Sequence, residues 1–317
     1  SGGKDSLLSH ALLSEIGRET HSIFVNEAGR HWFTAVNAYR YFSRKVPNTA
    51  RVWTNSDRVF NWMLRHLPFV RPDFNQVRSD EYPIRLWTVA LFVFGALPIL
   101  RKRGIGRLAV GDEFDTTTRK SHHGIPHYDG LYDQSRFFDN ALTRYYQQKR
   151  WGVTQFSILR PLSELLIQQV LTERYPALHR HQISCHAATM RGDRARPCGQ
   201  CEKCRRIVGM LKTIGADPHV CGYTDEQIVR CIRELATRST RQERPVIEHA
   251  AFMLWKRGVL SEPAIGTIRA REHPTVRKLR FDSQCAPLDG IPVDLRKPLY
   301  EILLQHAEGA VKRHGKL

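Results

Sequence analysis

From Ser6 to Tyr175 the chain alternates between helix-patterned and strand-patterned segments, and this alternation restricts it to a few architectures. Ser6 to Ile16 sets Leu7, Leu8, Ala11, Leu12 and Ile16 at helical spacing, and His21 to Val25 follows as a strand ending in Asn26-Glu27-Ala28-Gly29. A helix over 31–44, a strand over 51–54 and a helix over 57–67 come next, the last with Asp57 as N-cap. An apolar helix over 84–100 precedes a strand over 107–110 that runs into Gly111-Asp112-Glu113. After a Gly- and His-rich loop (His122 to Gly130) come a helix over 135–149, a strand over 156–162 and a helix over 163–175. The expected fold class is therefore α/β: a parallel sheet covered on both faces, with ligands at the carboxyl ends of its strands. From about Gly215 the pattern changes. Helices are expected over 225–236 and 246–257 and near 298–311, which divides the chain into a first domain over 1–220 and a mainly helical C-terminal extension over 221–317.

Ser1-Gly2-Gly3-Lys4-Asp5-Ser6 leads directly into the first helix. Two glycines let the backbone turn and approach a ligand with no β-carbon in the way. Their N–H groups, with the N-terminal end of the helix, suit anionic phosphate oxygens, and Ser1 and Ser6 add hydroxyl donors. Asp5 repels a bare phosphate, so its expected role is to fix the loop or to approach a phosphate-bound Mg²⁺.

Seven cysteines form an odd set, and four of them lie between Cys185 and Cys204. Cys198, Cys201 and Cys204 stand at consecutive C-x-x-C spacings with Cys185 upstream, so four thiolates can close a tetrahedral shell around one ion. A closed shell predicts a structural zinc site, with an iron–sulfur cluster as the other occupant that four thiolates accept. Metal spacing rather than a disulfide framework points to a reducing cytoplasm. Cys221, Cys231 and Cys285 show no ligand spacing and read as ordinary thiols.

Together these stretches resemble known families. The string Ser1 to Ser6 is similar to the Ser-Gly-Gly-x-Asp-Ser signature of the PP-loop (N-type) ATP pyrophosphatases, with their adenine nucleotide alpha hydrolase-like, Rossmann-like sheet. In those proteins an apolar strand precedes the loop, so a first strand upstream of Ser1 is expected. Gly29-Arg30-His31, Gly111-Asp112, Arg160-Pro161-Leu162, Ser184-Cys185 and the Cys198–Cys204 cluster followed by Gly215-Ala216-Asp217-Pro218 resemble the 7-cyano-7-deazaguanine synthase family, over roughly residues 1–220. That resemblance implies queuosine-precursor chemistry: a deazaguanine carboxylate is adenylated by ATP with Mg²⁺, pyrophosphate leaves, ammonia attacks, and Zn²⁺ is structural. Ser163-Glu164-Leu165-Leu166 departs from it where the family usually carries a lysine. Phe156 to Leu165 instead looks like the ATP-dependent UDP-N-acetylmuramoyl-dipeptide glutamate epimerases, and the loop is also shared by tRNA-modifying relatives. A nucleotide sensor on the same fold is a further class, because fold does not fix function.

The resemblance implies catalytic roles for Asp5, Ser6 and Asp112, and nucleotide contacts from Ser1, Gly2, Gly3, Lys4, Asp5, Ser6, Arg30, Gly111, Asp112 and Glu113. Glu27 and His31 are weaker candidates at a strand end and a helix start, and His122, His123, His127 and Asp129 are read as a polar loop cluster, a lid or a second metal site. A composition of 41% hydrophobic and 25% charged residues excludes a disordered chain, and the apolar run Leu86 to Leu100 is too short to span a bilayer. The formal charge of +18 suits phosphate-rich partners or simply a solvated surface. No aromatic-interleaved basic motif of the RNA-binding kind stands out in the sequence. The expected partners are a small carboxylate-bearing substrate, then tRNA, with no membrane and with a second copy of the chain as an option.

Overall fold

Leu7, Leu8, Ala11 and Leu12 form the buried side of helix α1 (Lys4–Glu15) in the computed structural model, which describes residues 2–27, 30–77, 88–185, 187–238, 240, 242–261, 264–265 and 268–312. Strand β1 (Ile23–Glu27), helix α2 (Phe33–Lys45), strand β2 (Ala50–Thr54) and helix α3 (Ser56–His66) follow. β1 and β2 are parallel, with Ile23 opposite Ala50 and Glu27 opposite Thr54. The apolar segment becomes α4 (Thr88–Lys102); residues 84–87 of the expected helix lie outside the described residues. No helix among the described residues is long and apolar enough to cross a membrane.

β3 (Arg107–Ala109) then leads to a hairpin of β4 (Arg119–His122) and β5 (Ile125–Tyr128), which occupies the expected Gly- and His-rich loop. Helix α5 (Arg136–Gln148) is capped by Ser135, whose Oγ accepts from the Phe138 N–H, and brings the chain to β6 (Thr154–Phe156). β6 is parallel to β3, with Ala109 opposite Phe156. The strand expected over 156–162 therefore starts earlier and stops at Phe156. The cause is local. Ser157 Oγ donates to the Asp112 carbonyl at 2.7 Å and accepts from the Leu159 N–H at 3.1 Å, which curls the chain into a turn before Pro161.

Helix α6 (Glu164–Arg174), capped by Ser163, is buried along most of its length, and the short α7 (Pro176–His179) follows. An antiparallel hairpin of β7 (Thr189–Arg191) and β8 (Arg194–Arg196) precedes α8 (Glu202–Thr213). The C-terminal segment contributes α9 (Asp225–Thr237), α10 (Arg244–Lys256), the hairpin of β9 (Ala264–Ile265) and β10 (Ile268–Arg269), then β11 (Leu279–Phe281), α11 (Val293–Leu304) and β12 (Ala310–Lys312), the last parallel to β11. The class is mixed α/β, and among the described residues the strands pair only in twos rather than in one continuous parallel sheet.

The boundary expected at residue 220 does not separate two cores. Leu279, Phe281, Leu295, Leu299 and Leu303 share one apolar cluster with Leu7, Leu8, Phe24, Phe42, Leu159 and Leu166. The last helix also begins before its expected start and holds Pro298 inside it. Proline has no N–H for the carbonyl four residues back, and Arg18 Nη2 supplies that missing donor to Asp294 O at 3.0 Å. Arg280 anchors the segment by a bidentate pair to Asp115 (3.1 and 2.6 Å), with its guanidinium 4.1 Å from the Phe114 ring centre.

Buried histidines punctuate this core. His179 sits against the Cys221 Sγ at 3.2 Å, and burial depresses its pKa from 6.5 to about 4. The unfolded chain therefore binds this proton first as pH falls, and the native state loses stability between about pH 6.5 and about pH 4 through this group. Urea unfolding should show a stability gap between wild type and His179→Asn that is widest above pH 6.5 and narrows as pH falls towards 4.

Candidate functional site

Two sites emerge, a charged cleft at the start of α1 and a four-cysteine centre behind it. The cleft encloses about 420 Å³, counting space open to solvent, and is walled chiefly by Lys4, Asp5, Gly111, Glu113, Asp129, Glu164, Lys203, Arg206 and Glu243. The sequence brings its two key segments together by omitting side chains. A β-carbon on Gly111 would lie 2.8 Å from Asp5 Cβ and 3.0 Å from the Asp5 carbonyl carbon, so the end of β3 and the start of α1 touch because position 111 is glycine. Gly2 is likewise pressed against α2, where a β-carbon would lie 2.4 Å from the Thr34 carbonyl oxygen. Its own carbonyl accepts from the Ile183 N–H at 2.9 Å, which ties the loop to the segment that leads into Cys185.

Lys4 is the centre of the cleft's electrostatics. Only 2% exposed, its Nζ donates to Asp5 Oδ1 at 2.6 Å and lies 3.2 Å from Glu164 Oε1. Burial alone would lower the ammonium's pKa, but Asp5, Glu164, Glu113 and Glu243 outweigh it and raise it, so the charge is held firmly. Glu164 continues the network to Arg206, which donates to Glu164 Oε2 from Nη2 at 2.7 Å and from Nε at 3.0 Å, and whose Nη2 also lies 3.5 Å from Glu243 Oε1. Burial opposes ionisation of Glu164, yet Arg206 and Lys4 pull its pKa down overall.

Glu113 and Glu243 are driven apart. Burial raises both; Lys4 and a hydrogen bond with Glu243 then bring Glu113 below its ordinary value, while Glu164 and Glu113 push Glu243 further up, well above its own. The two carboxyls are thus shifted in opposite directions, Glu113 downward and Glu243 upward. Glu243 has left-handed backbone at φ 54° at the N-cap position of α10, where its side chain makes no capping hydrogen bond, and its N–H donates to Asp129 Oδ2 at 3.2 Å. Its Oε2 is buried without a hydrogen-bond partner among the described residues.

The expected site residues fall into three groups. Lys4, Asp5, Gly111 and Glu113 line the cleft, and Asp129 joins them from the hairpin end. Asp112 does not line it; its carboxylate lies 3.5 Å from Arg160, which also binds Asp139 at 2.7 Å, and burial pushes Asp112 well above its ordinary pKa against the pull of Arg160. Asp112 is thus a buried partner of Arg160 next to Glu113. Gly2, Gly3 and Ser6 support the loop and the first turn of α1 without lining the cleft. Ser1 and the side chains of Glu27 and Arg30 lie outside the described residues. His122, His123 and His127 are exposed along the hairpin and join no metal-binding group.

Glu164, Lys203, Arg206 and Glu243 were missed by sequence reasoning. Their available signal was an ionisable residue inside an apolar helix, as with Glu164 before Leu165-Leu166-Ile167 and Arg206 beside Ile207-Val208.

Cys185, Cys198, Cys201 and Cys204 converge as expected. All four Sγ atoms lie within 4.8 Å of one another, with Cys198 to Cys204 at 3.8 Å and Cys201 to Cys185 at 3.7 Å. Thiolates about 2.3 Å from one tetrahedral ion stand about 3.8 Å apart, so the donor set fits a single metal ion such as zinc. Among the described residues this is the one convergent group of three or more His, Cys, Asp and Glu ligands. The Cys198 and Cys204 N–H groups donate to the sulfurs of Cys185 and Cys201, both at 3.4 Å, which offsets thiolate charge. Asn37 of α2 holds the adjoining hairpin through a reciprocal amide pair with the Ala195 backbone (3.0 and 2.9 Å). No disulfide forms, and Cys231 only donates to the Gly199 carbonyl at 3.4 Å.

Compared with models of known protein families and with curated protein sequences, the chain matches none.

Elemental analysis should find one equivalent of metal per chain. Cys201→Ser should remove it and lower the thermal midpoint, whereas Cys231→Ala should retain the full equivalent.

Proposed function

We propose that the cleft is the active site of a PP-loop ATP pyrophosphatase that adenylates a carboxylate-bearing substrate and releases pyrophosphate. The observation that carries this reading is the contact of Gly111 with Asp5, which joins the phosphate-loop motif to the carboxyl end of β3, a strand from the middle of the chain. The N-terminal end of α1, a helix of 12 residues, offers backbone donors and a positive dipole end to phosphate oxygens.

The donor set fits a magnesium-bound triphosphate better than a bare one. Lys4, Lys203 and Arg206 supply positive charge, while Asp5 and Glu113 would repel uncompensated phosphate. Mg²⁺, when bound, would neutralise phosphate charge there. In the adenylation step a substrate carboxylate oxygen attacks the α-phosphorus, the bond to the β-phosphate oxygen breaks, and pyrophosphate departs. The chain's part is positioning and fixed charge. Asp5 orients Lys4, Glu164 and Arg206 hold Lys4 in place, and Glu113 faces the reacting group. The cysteine centre, with zinc as its ion, fixes α8 and thereby Arg206.

Within this reading the 7-cyano-7-deazaguanine synthase family is the favoured relative, with a deazaguanine carboxylate as acceptor. A second reading rests on the Glu113–Glu243 pair: two carboxyls in a single cleft, shifted in opposite directions by their surroundings, would serve as base and acid for proton exchange beside an activated carbonyl, as a glutamate epimerase requires.

Pyrophosphate release from Mg-ATP should be stimulated by 7-carboxy-7-deazaguanine with ammonia, and not by a UDP-muramoyl dipeptide or tRNA. Stimulation by the dipeptide with deuterium uptake from solvent would select the epimerase instead. Asp5→Ala should abolish release, and Gly111→Ala should cut it at least about tenfold, because the new methyl displaces Asp5. Unchanged turnover in both variants would overturn the assignment of this cleft.

A further inference from the structure

Helix α3 is built the wrong way round for a helix that serves a core. Only Leu64 of its 11 residues is buried, while Val59 is 66% and Trp62 63% exposed. At about 100° per residue, Arg58, Trp62 and Arg65 fall on one stripe, four and then three residues apart, with Val59 and His66 beside them. Arg58, Trp62, Arg65 and His66 all face solvent. The helix's one acid, Asp57, lies about a quarter turn away from Arg58, with its Oδ1 buried.

The indole is held as a platform. The Trp62 and His66 rings lie 4.4 Å apart at 35°, and the His66 Nδ1 meets the Trp62 carbonyl oxygen at 2.7 Å, which fixes the imidazole against its neighbour. The exposed rings of Trp53 (68%) and Phe69 (72%) flank the helix in the chain. On β2, Arg51 and Trp53 share the outward side, so arginine and tryptophan alternate from the strand into the helix.

We infer that the Arg58–Trp62–Arg65 face of α3 binds single-stranded RNA, with bases stacking on Trp62 and backbone phosphates pairing with the two guanidiniums. The argument is complementarity of charge and shape. Flat exposed rings between arginines match the alternation of base faces and phosphates along an unpaired strand. The whole chain carries +18, which draws a polyanion and repels a second copy of itself. A symmetric contact through this face would also bring its arginines near those of the other copy. This site is independent of the adenylating cleft.

The test is fluorescence anisotropy of the full chain with a labelled single-stranded RNA of about a dozen nucleotides, at about 50 and 200 mM salt. Trp62→Ala should weaken binding roughly fivefold or more, the loss expected for one stacked base. The double variant Arg58→Ser, Arg65→Ser should lower the salt slope by about 1.4, from two phosphate contacts. Lys297→Ser, at a side chain 87% exposed on α11, should leave binding and slope near wild type. Because all these positions are exposed, far-UV circular dichroism should be unchanged. Equal RNA affinity in wild type and Trp62→Ala would overturn the proposal. So would a Trp62→Ala variant that instead loses binding to anionic lipid vesicles, or loses self-association in light scattering.

Discussion

The ammonium of Lys4, buried among carboxylates, is the interaction on which the rest of the arrangement turns. Removing a charge from water costs several kcal/mol, and the structure offsets that cost only because Asp5, Glu164, Glu113 and Glu243 arrive from four parts of the chain. Each arrival needs its own element in place: the turn into α1, the cap of α6, the end of β3 and the strained entry to α10. Arg206 then balances the acids that Lys4 leaves over. Such a network is sensitive to single losses, since deleting one partner strands the others without water.

This dependence explains why the cysteine centre and the C-terminal segment belong to the same body as the loop. Arg206 follows Cys204 by half a turn of α8, so an ion held by the four sulfurs would also fix that guanidinium. Glu243 comes from the segment after α9, and its backbone strain is sustained by Asp129 on one side and Arg206 on the other. Asp115 and Arg280 clamp β11 beneath the same wall, and α11 closes the main apolar cluster. The proposed chemistry is thus assembled from residues spread over most of the chain. In the proposed readings the acidic cleft takes a metal-bound phosphate and the basic exterior a polyanion. The two preferences occupy different surfaces.

Local pattern carried much of the architecture. The helical spacing of Leu7, Leu8 and Leu12 and the C-x-x-C spacing are short-range facts, and the first helix and the four-sulfur cluster stand where they were expected, while the cap expected at Asp57 falls instead to Asn55. What pattern could not supply were the hairpin over 119–128, the truncation of β6 by the Ser157 side chain, and the extent of α11 around Pro298. The last two depend on a hydrogen-bond partner from elsewhere in the chain, the Asp112 carbonyl and Arg18, while the hairpin closes locally through the left-handed turn at His123-Gly124 in a polar stretch without strand alternation.

For the site the division is sharper. The sequence by itself determined that Cys185, Cys198, Cys201 and Cys204 could meet and that Lys4, Asp5, Gly111 and Glu113 were candidates, because spacing and loop composition are local facts. Only the tertiary structure decided that Asp112 turns inward to Arg160 while Glu113 lines the cleft, that Glu164 bridges Lys4 and Arg206, and that Glu243 joins Glu113 in the same wall. It also decided that α3 turns its arginines and tryptophan to solvent. The physical reason is that ionisation and exposure are set by what surrounds a side chain in space. Here the surroundings come from residues tens to hundreds of positions away.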